Sequence, residues 1–351
     1  MSANALSDRE FIFTDDRPFA SCHASTVLPL SDGRVLASWF AGSYEGHGDV
    51  AIWLSVRSGV GRWSPPRKVA DEEGVPHWNP VLAAAPDGTV HLFYKVGPNC
   101  RDWRTRFMRS ADRGETWSEP VEPPQAGGYP VGPVKNKPVI LADGSWVAPT
   151  SRETETTWDA AVTISGDSGR SWELGGPVPL DHAAFTGKGV IQPTLWESAP
   201  GRLHMLLRST AGFVYRSDSS DGGRSWCPAY ETGLPNNNSG IDLAQMACGT
   251  LALCLNPVPA DWGKRTPLVV TFSRDNGERW GEELVLEDED PPADESRVKL
   301  DRAHRANEFS YPAVVAVGAK LAVTYTWKRE RICCREIEPP IACREHERRV
   351  H

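Results

Sequence analysis

One eight-residue phrase, Ser-x-Asp-x-Gly-x-x-Trp, occurs four times in this chain, at residues 110–117, 165–172, 219–226 and 273–280. Its tryptophans stand at 117, 172, 226 and 280, intervals of 55, 54 and 54, and one more step back lands on Trp63. A period this long and regular marks an array of similar supersecondary units, each too small to bury its apolar face alone. The phrase itself is turn chemistry. Asp and Gly suit tight turns with positive φ, Ser or Asp can bond the turn's own amides, and Trp plugs the space between neighbouring sheets.

Each period repeats one order: an apolar stretch, a turn, two further apolar stretches, the phrase, then a short fourth stretch. In the second unit, 77–85 is strand one, Asp87-Gly88 turns the chain, 89–96 is strand two and 104–110 is strand three. Segments of the strand-two kind recur at 34–40, 89–96, 145–150, 202–209, 250–257 and 320–327, which makes six units. The expected fold is all-β, a six-bladed β-propeller of four-stranded antiparallel blades. The first unit carries a degraded phrase, with Ser58 and Val60 where Asp and Gly belong, and the sixth ends without one. Glu10-Phe11-Ile12-Phe13 is therefore expected to supply the missing outer strand of the sixth blade and to close the ring. Loss of residues 1–14 would then destabilise the whole. The chain reads as a single domain, 1–340, with blades near 20–70, 77–122, 134–180, 189–233, 240–287 and 308–337 plus 10–14. A charged, Pro-containing insertion is read at 288–306 and a tail at 341–351.

Composition narrows the partners. A formal charge of −8 argues against nucleic acid, which needs a dense basic face. No charged start with an apolar core and no run of about 18 apolar residues is seen, so no membrane partner is expected and the location is read as cytoplasmic. Eight cysteines without a Cys-x-x-Cys spacing give neither a zinc site nor a disulfide scaffold. Nucleotide loops, metal-ligand clusters and the serine-hydrolase elbow are missing from the sequence, so no cofactor and no metal are expected.

In a propeller the inner strands start near the axis, and the loops joining strands two and three open on the same face. Those stations hold His23, Asn79, Lys135, Gln192, Glu308 and Tyr311, and the loops hold Glu45, Asp49, Arg152, Arg208 and Arg265. Lys and Arg clasp carboxylates, Asn and Gln match hydroxyls, and aromatic faces stack on pyranose rings. The expected guest is an anionic carbohydrate, with Arg208, Arg265, Gln192, Asn79, Lys135 and Arg152 as binding residues.

The four phrases resemble the Asp-box, or BNR, repeat of the sialidase (neuraminidase) superfamily, and the resemblance covers nearly the whole chain. It implies an exo-acting glycoside hydrolase with three arginines on the substrate carboxylate, an Asp acid/base on the first blade's loop, and a Tyr nucleophile paired with Glu. By position within the blades, Tyr311 in EFSYPAVV resembles the nucleophile and Asp49 in GHGDVAIW the acid/base, with Glu45 as its alternative. Arg208 and Arg265 resemble the second and third arginines. Two stations depart: His23, in SCHAST, stands at about the place of the first arginine, and Gln192 at that of the glutamate. A tyrosine without its carboxylate base is a weaker nucleophile. His23 with Tyr311 can instead serve proton abstraction beside a uronate carboxylate or activate water, which would make a lyase or a non-sialic glycosidase. A non-catalytic glycan-binding propeller is the third reading.

Overall fold

The four phrases fold as hairpin turns that satisfy themselves. In the first, Ser110 Oγ donates to Asp112 Oδ1 (2.7 Å) and accepts from the Gly114 amide (2.7 Å), while Asp112 Oδ1 accepts from the Thr116 amide (2.8 Å). Arg113 and Gly114 take φ of +62° and +92°, the left-handed region that puts Gly at its fixed place in the phrase. The same bonds recur at Ser165/Asp167, Ser219/Asp221 and Ser273/Asp275. The tryptophan that ends each phrase packs back against the preceding blade. Trp117 joins the cluster between the first and second blades, Trp172 that between the second and third, Trp226 the next, and Trp280 the next. Trp63, one period earlier, lies in the cluster of Val27, Val35, Ala313 and Val315 that joins the first blade to the sixth. The hydrophobic core is thus a ring of wedges between sheets.

The structure, a computed structural model, describes residues 6–59, 61–289 and 308–339. The expected tail and nearly all of the expected insertion lie outside those residues. Six antiparallel sheets succeed one another along the chain. The first holds Ser21–Pro29, Val35–Gly42, Ala51–Arg57 and Arg67–Ala70; the second His77–Ala84, Val90–Val96 and Arg104–Ser110; the third Val139–Ile140, Trp146–Glu153, Trp158–Ser165 and Glu173–Pro177. The fourth holds Val190–Ala199, Arg202–Ser209, Phe213–Ser219 and Tyr230–Pro235; the fifth Asp242–Gln245, Leu251–Leu255, Leu268–Ser273 and Gly281–Glu287; the sixth Phe309–Val317, Lys320–Trp327 and Arg331–Ile337. The second blade's outermost strand shrinks to one pairing, Phe107 with Val121. Among the described residues the helical content is a single 3₁₀ turn, Cys100–Asp102, so no helix is long and apolar enough to cross a membrane.

The sixth blade takes its outer strand from the N-terminus, with Glu10 opposite Cys334 and Phe11 opposite Cys333. Ile12 and Phe13, both buried, continue into a cluster with Phe19, Trp39 and Trp53 of the first blade. Arg9 grips Glu287 of the fifth blade through two nitrogens, and Tyr325 of the sixth donates to the same carboxylate (2.6 Å). One short segment therefore engages three blades and covers an edge that would otherwise be open.

The inner strands share a second device. Register breaks between His23 and Thr26, Trp78 and Val81, Ile191 and Thr194, and Ser310 and Ala313. Each break contains a residue at positive φ: Ala24 (+52°), Asn79 (+38°), Gln192 (+53°) and Tyr311 (+51°), and Asn238 (+57°) precedes the fifth inner strand. These are β-bulges, which re-aim side chains and tolerate the missing amide of a following proline. Pro80, Pro193 and Pro312 stand at that place.

A few residues further along the inner strands, the axis is spanned by polar struts. Lys135 Nζ donates to Asn136 Oδ1 (2.9 Å) and to the carbonyls of Ile241 (3.0 Å) and Pro312 (2.6 Å). Lys137 Nζ meets Asp242 Oδ2 at 2.7 Å, and Asp242 also accepts from the Thr194 hydroxyl (3.0 Å) and the Val314 amide (2.8 Å). The third blade is thereby bolted to the fifth and sixth, and the fifth to the fourth.

Candidate functional site

Two arginines from two blades meet Tyr311, and a third is joined to them through Glu308. Arg208 ends the second strand of the fourth blade, opposite Ile191. Its Nη1 donates to the Tyr311 hydroxyl (2.7 Å) and to Gln192 Oε1 (2.9 Å), and its Nε to Asn238 Oδ1 (3.0 Å). Arg265 places its guanidinium carbon 5.4 Å from the centre of the Tyr311 ring and donates to Glu308 Oε1 (2.5 Å) and Ser310 Oγ (3.3 Å). Arg329, in the turn after Trp327 and at φ +59°, donates to Glu308 Oε1 (2.9 Å) and Glu45 Oε2 (2.7 Å). A Cβ at Gly240 would lie 3.3 Å from the Tyr311 ring and 3.0 Å from Lys135 Cε, so glycine permits the phenol its seat.

Charge does not balance across this cluster. Glu308 serves Arg265 and Arg329, and Glu45 serves Arg329. Arg208, only 3% exposed, has no carboxylate among its partners in the described residues: an amide oxygen of Asn238, one of Gln192 and a phenol. A buried cation without a counter-charge costs several kcal/mol unless something negative joins it. For Arg329, burial works against the charge, but Glu308 and Glu45 outweigh it and hold the group above the usual guanidinium value.

His23 packs its ring 4.2 Å from that of Tyr311, with Nδ1 at 2.8 Å from Thr326 Oγ1 and 3.8 Å from Glu308 Oε1. Lys135 also lies near, its Nζ 5.8 Å from the Tyr311 ring centre. Burial pulls Lys135 down to about 7, although each of its N–H bonds has an acceptor, the arrangement an ammonium requires.

His23, Tyr311, Arg208, Arg265, Gln192, Lys135 and, through Arg329, Glu45 are brought together. Asp49 is half exposed and held inside its own loop by the Ser43 hydroxyl (2.5 Å) and amide (3.0 Å) and by His47 (2.7 Å). Burial pushes its carboxyl up, but the bonds from Ser43 and His47 prevail and keep it below the ordinary carboxylate value. Asn79 is buried at its bulge. Arg152 faces outward, with its guanidinium over Tyr129 (4.8 Å) and paired with Asp159 (3.2 Å). The cause is the strand Trp146–Glu153, which runs three residues past the expected 145–150 and imposes alternation. Ser151 and Glu153 then share the inner face, where Ser151 Oγ accepts from the Gln192 amide (3.0 Å).

Beside this cluster lies a cavity of about 640 Å³ lined by Cys100, Arg101, Glu153, Thr154, Trp158 and Lys188, among others. Its link to the arginines is Trp158, whose ring centre lies 5.6 Å from the Arg208 guanidinium carbon. Trp262, 62% exposed, stands edge-on to Trp158 at 6.2 Å. Arg329 and Trp262 were not singled out from sequence, and Glu153 stood there only as a member of the loop Ser151-Arg152-Glu153, without a site role. Arg329 stands among like charges in WKRER, and its only sequence signal is its place in a strand-two to strand-three loop.

Residues 33–323 match the BNR repeat-like domain. No curated protein matches the chain. Among solved structures, the Hadza microbial sialidase Hz136 is similar at TM-score 0.73 and 16% identity, over 91% of this chain and 66% of its own. A protein of unknown function from Dyadobacter fermentans gives 0.74 and 14%, over 96% of this chain and 100% of its own. The NanB sialidase of Streptococcus pneumoniae, as its K499G mutant, gives 0.71 and 14%, over 96% of this chain and 71% of its own. Identities this low speak for a shared fold; the chain spans just under two thirds of the Hadza enzyme.

Proposed function

The chain belongs to the BNR repeat-like domain family, and on that premise we propose that it is a sialidase-like exo-glycoside hydrolase acting on an acidic sugar held at the axis. The observation that carries this reading is the buried Arg208 guanidinium without a carboxylate partner among the described residues. A sugar carboxylate supplies the missing charge by accepting from Nη2, the one guanidinium nitrogen not given to Asn238, Gln192 or Tyr311. Arg265 adds a second donor across Tyr311. The same Nη1 that reaches Gln192 touches the Tyr311 hydroxyl, so the phenol oxygen sits next to the anion site, where a nucleophile for the anomeric carbon is needed. As that oxygen forms its bond, its proton passes toward His23, the neighbouring ring. Positive charge from Arg208 stabilises the phenolate that develops.

The test is incubation with nitrophenyl glycosides of N-acetylneuraminic acid and of glucuronic acid and with a 4-linked uronate oligosaccharide, following reducing sugar and ultraviolet absorbance in parallel. Reducing sugar without an unsaturated product is the expected result. Arg208→Met should reduce it by about 10²-fold or more, since a charge-assisted contact is removed from substrate and transition state alike. A second reading, a uronate-directed lyase using His23 and Tyr311, draws on their 4.2 Å ring contact. It predicts an absorbing, unsaturated product from the 4-linked oligosaccharide, in which loss of the proton at C5 expels the sugar on O4. Binding of the same glycosides with neither product would sink both and leave a glycan-binding propeller.

A further inference from the structure

The candidates for proton donor named by sequence are both committed elsewhere: Asp49 is held ionised by Ser43 and His47, and Glu45 is paired with Arg329. We propose that Glu153 is the acid that protonates the leaving oxygen, acting from the cavity beside Arg208. This rests on the glycoside hydrolase reading and extends it to a residue that the family resemblance does not supply.

Geometry carries the assignment. Strand alternation turns Glu153 to the same side as Ser151, whose hydroxyl is bonded to the backbone of Gln192, and so toward the blade that holds Arg208. Glu153 lines the cavity together with Trp158, and the Trp158 ring lies against the Arg208 guanidinium at 5.6 Å. A ligand whose carboxylate sits on Arg208 therefore has the cavity, with Glu153 in its wall, as its neighbouring space. The Glu153 carboxyl has neither an ion pair nor a hydrogen bond among the described residues, in contrast to those of Asp49, Glu45 and Glu308. Burial raises its affinity for a proton, and the two charges that oppose this are Arg208 and Lys188. A substrate carboxylate on Arg208 cancels the first of them. The acid is thus charged with its proton most fully when substrate is bound, a coupling that runs equally in both directions.

The step balances. The bond between the anomeric carbon and the leaving oxygen breaks, its electron pair stays on that oxygen, and the Glu153 proton joins it. Glu153, now a carboxylate, recovers a proton from the water whose hydroxyl ends on the anomeric carbon, so turnover adds one water across the glycosidic bond.

The experiment compares Glu153→Gln with the wild type on methyl and nitrophenyl glycosides of the same acidic sugar. A methoxide leaving group needs the acid and a nitrophenolate does not. Turnover of the methyl glycoside should fall about 10²- to 10⁴-fold and that of the nitrophenyl glycoside less than tenfold. In the wild type, the alkaline limb of kcat should lie at higher pH than that of kcat/KM, because activity is lost as Glu153 deprotonates and bound substrate delays this. Both alkaline limbs should vanish in Glu153→Gln. Equal losses on the two glycosides, or unchanged limbs, overturn the proposal while leaving the hydrolase reading intact. A wild type that hydrolyses neither glycoside overturns the hydrolase reading itself. Should Glu153→Gln fail to fold, the wild-type limbs decide alone: coincident limbs in kcat and kcat/KM count against Glu153.

Discussion

Two groups of buried and half-buried cations share the axis of this ring, and they are finished differently. In the deeper one, Lys137 faces Asp242, Asp242 is further bonded by Thr194 and Val314, and Lys135 spends three donors on three acceptors. At the mouth, Arg265 and Arg329 share Glu308 while Arg208 is hydrogen-bonded only to neutral groups among the described residues. A few residues along the same inner strands separate a cluster completed by the protein from one that a ligand would complete. A buried charge alone is therefore a poor pointer to function; a buried charge left without its counter-charge beside a cavity is a better one.

The contrast can be broken by substitution. The largest effect should come from Asp242→Asn, which strands Lys137 and removes the acceptor shared by three blades: a loss of about 3–5 kcal/mol in denaturant unfolding. Arg208→Met should leave stability unchanged or raise it. If it cost as much as Asp242→Asn, the two clusters would be alike and the ligand argument would fail. Next in size, N-acetylneuraminate or glucuronate at 100 times its Kd should stabilise the wild type by about 2.7 kcal/mol in a thermal melt, and Arg208→Met not at all. Lys137→Met should cost about 1–2 kcal/mol, less than loss of Asp242, because Thr194 and Val314 remain as donors to the carboxylate. The smallest effect is on pH. Glu153 is raised by burial, so it stays neutral past the usual carboxyl range, and as pH rises through its folded value it becomes a competing anion near Arg208. Sugar-acid binding measured by calorimetry should weaken about three- to tenfold across that rise, equivalent to about one unit of coupled shift or less. Glu153→Gln should flatten the dependence; a slope that persists in it would remove Glu153 from the electrostatics of the site.

Sequence carried the architecture far better than the site. Each repeat phrase contains its own explanation, since Ser110, Asp112 and Gly114 satisfy one another within five residues. A period of such phrases places every blade, and a sixth unit without a phrase points to a strand from elsewhere, which Glu10–Phe11 provides. Site residues are joined by contacts that no local pattern records. Arg329 gains its place from Glu45 and Glu308, one of them on the far side of the chain, and its neighbours Lys328 and Arg331 look the same in composition. The exchange of Arg152 for Glu153 as the inward residue turned on where a strand ends, three positions later than its apolar run suggests. One local signal was legible: Asn79-Pro80, Gln192-Pro193 and Tyr311-Pro312 each put proline inside a strand, where a bulge accommodates its missing amide.

Those bulges have a consequence for what such a ring can become. Since the backbone kink at Ala24, Asn79, Gln192 and Tyr311 is common to stations bearing unrelated side chains, the frame is indifferent to what it displays there. New chemistry can be installed one spoke at a time, by exchanging a single residue, without renegotiating the pairing of any sheet.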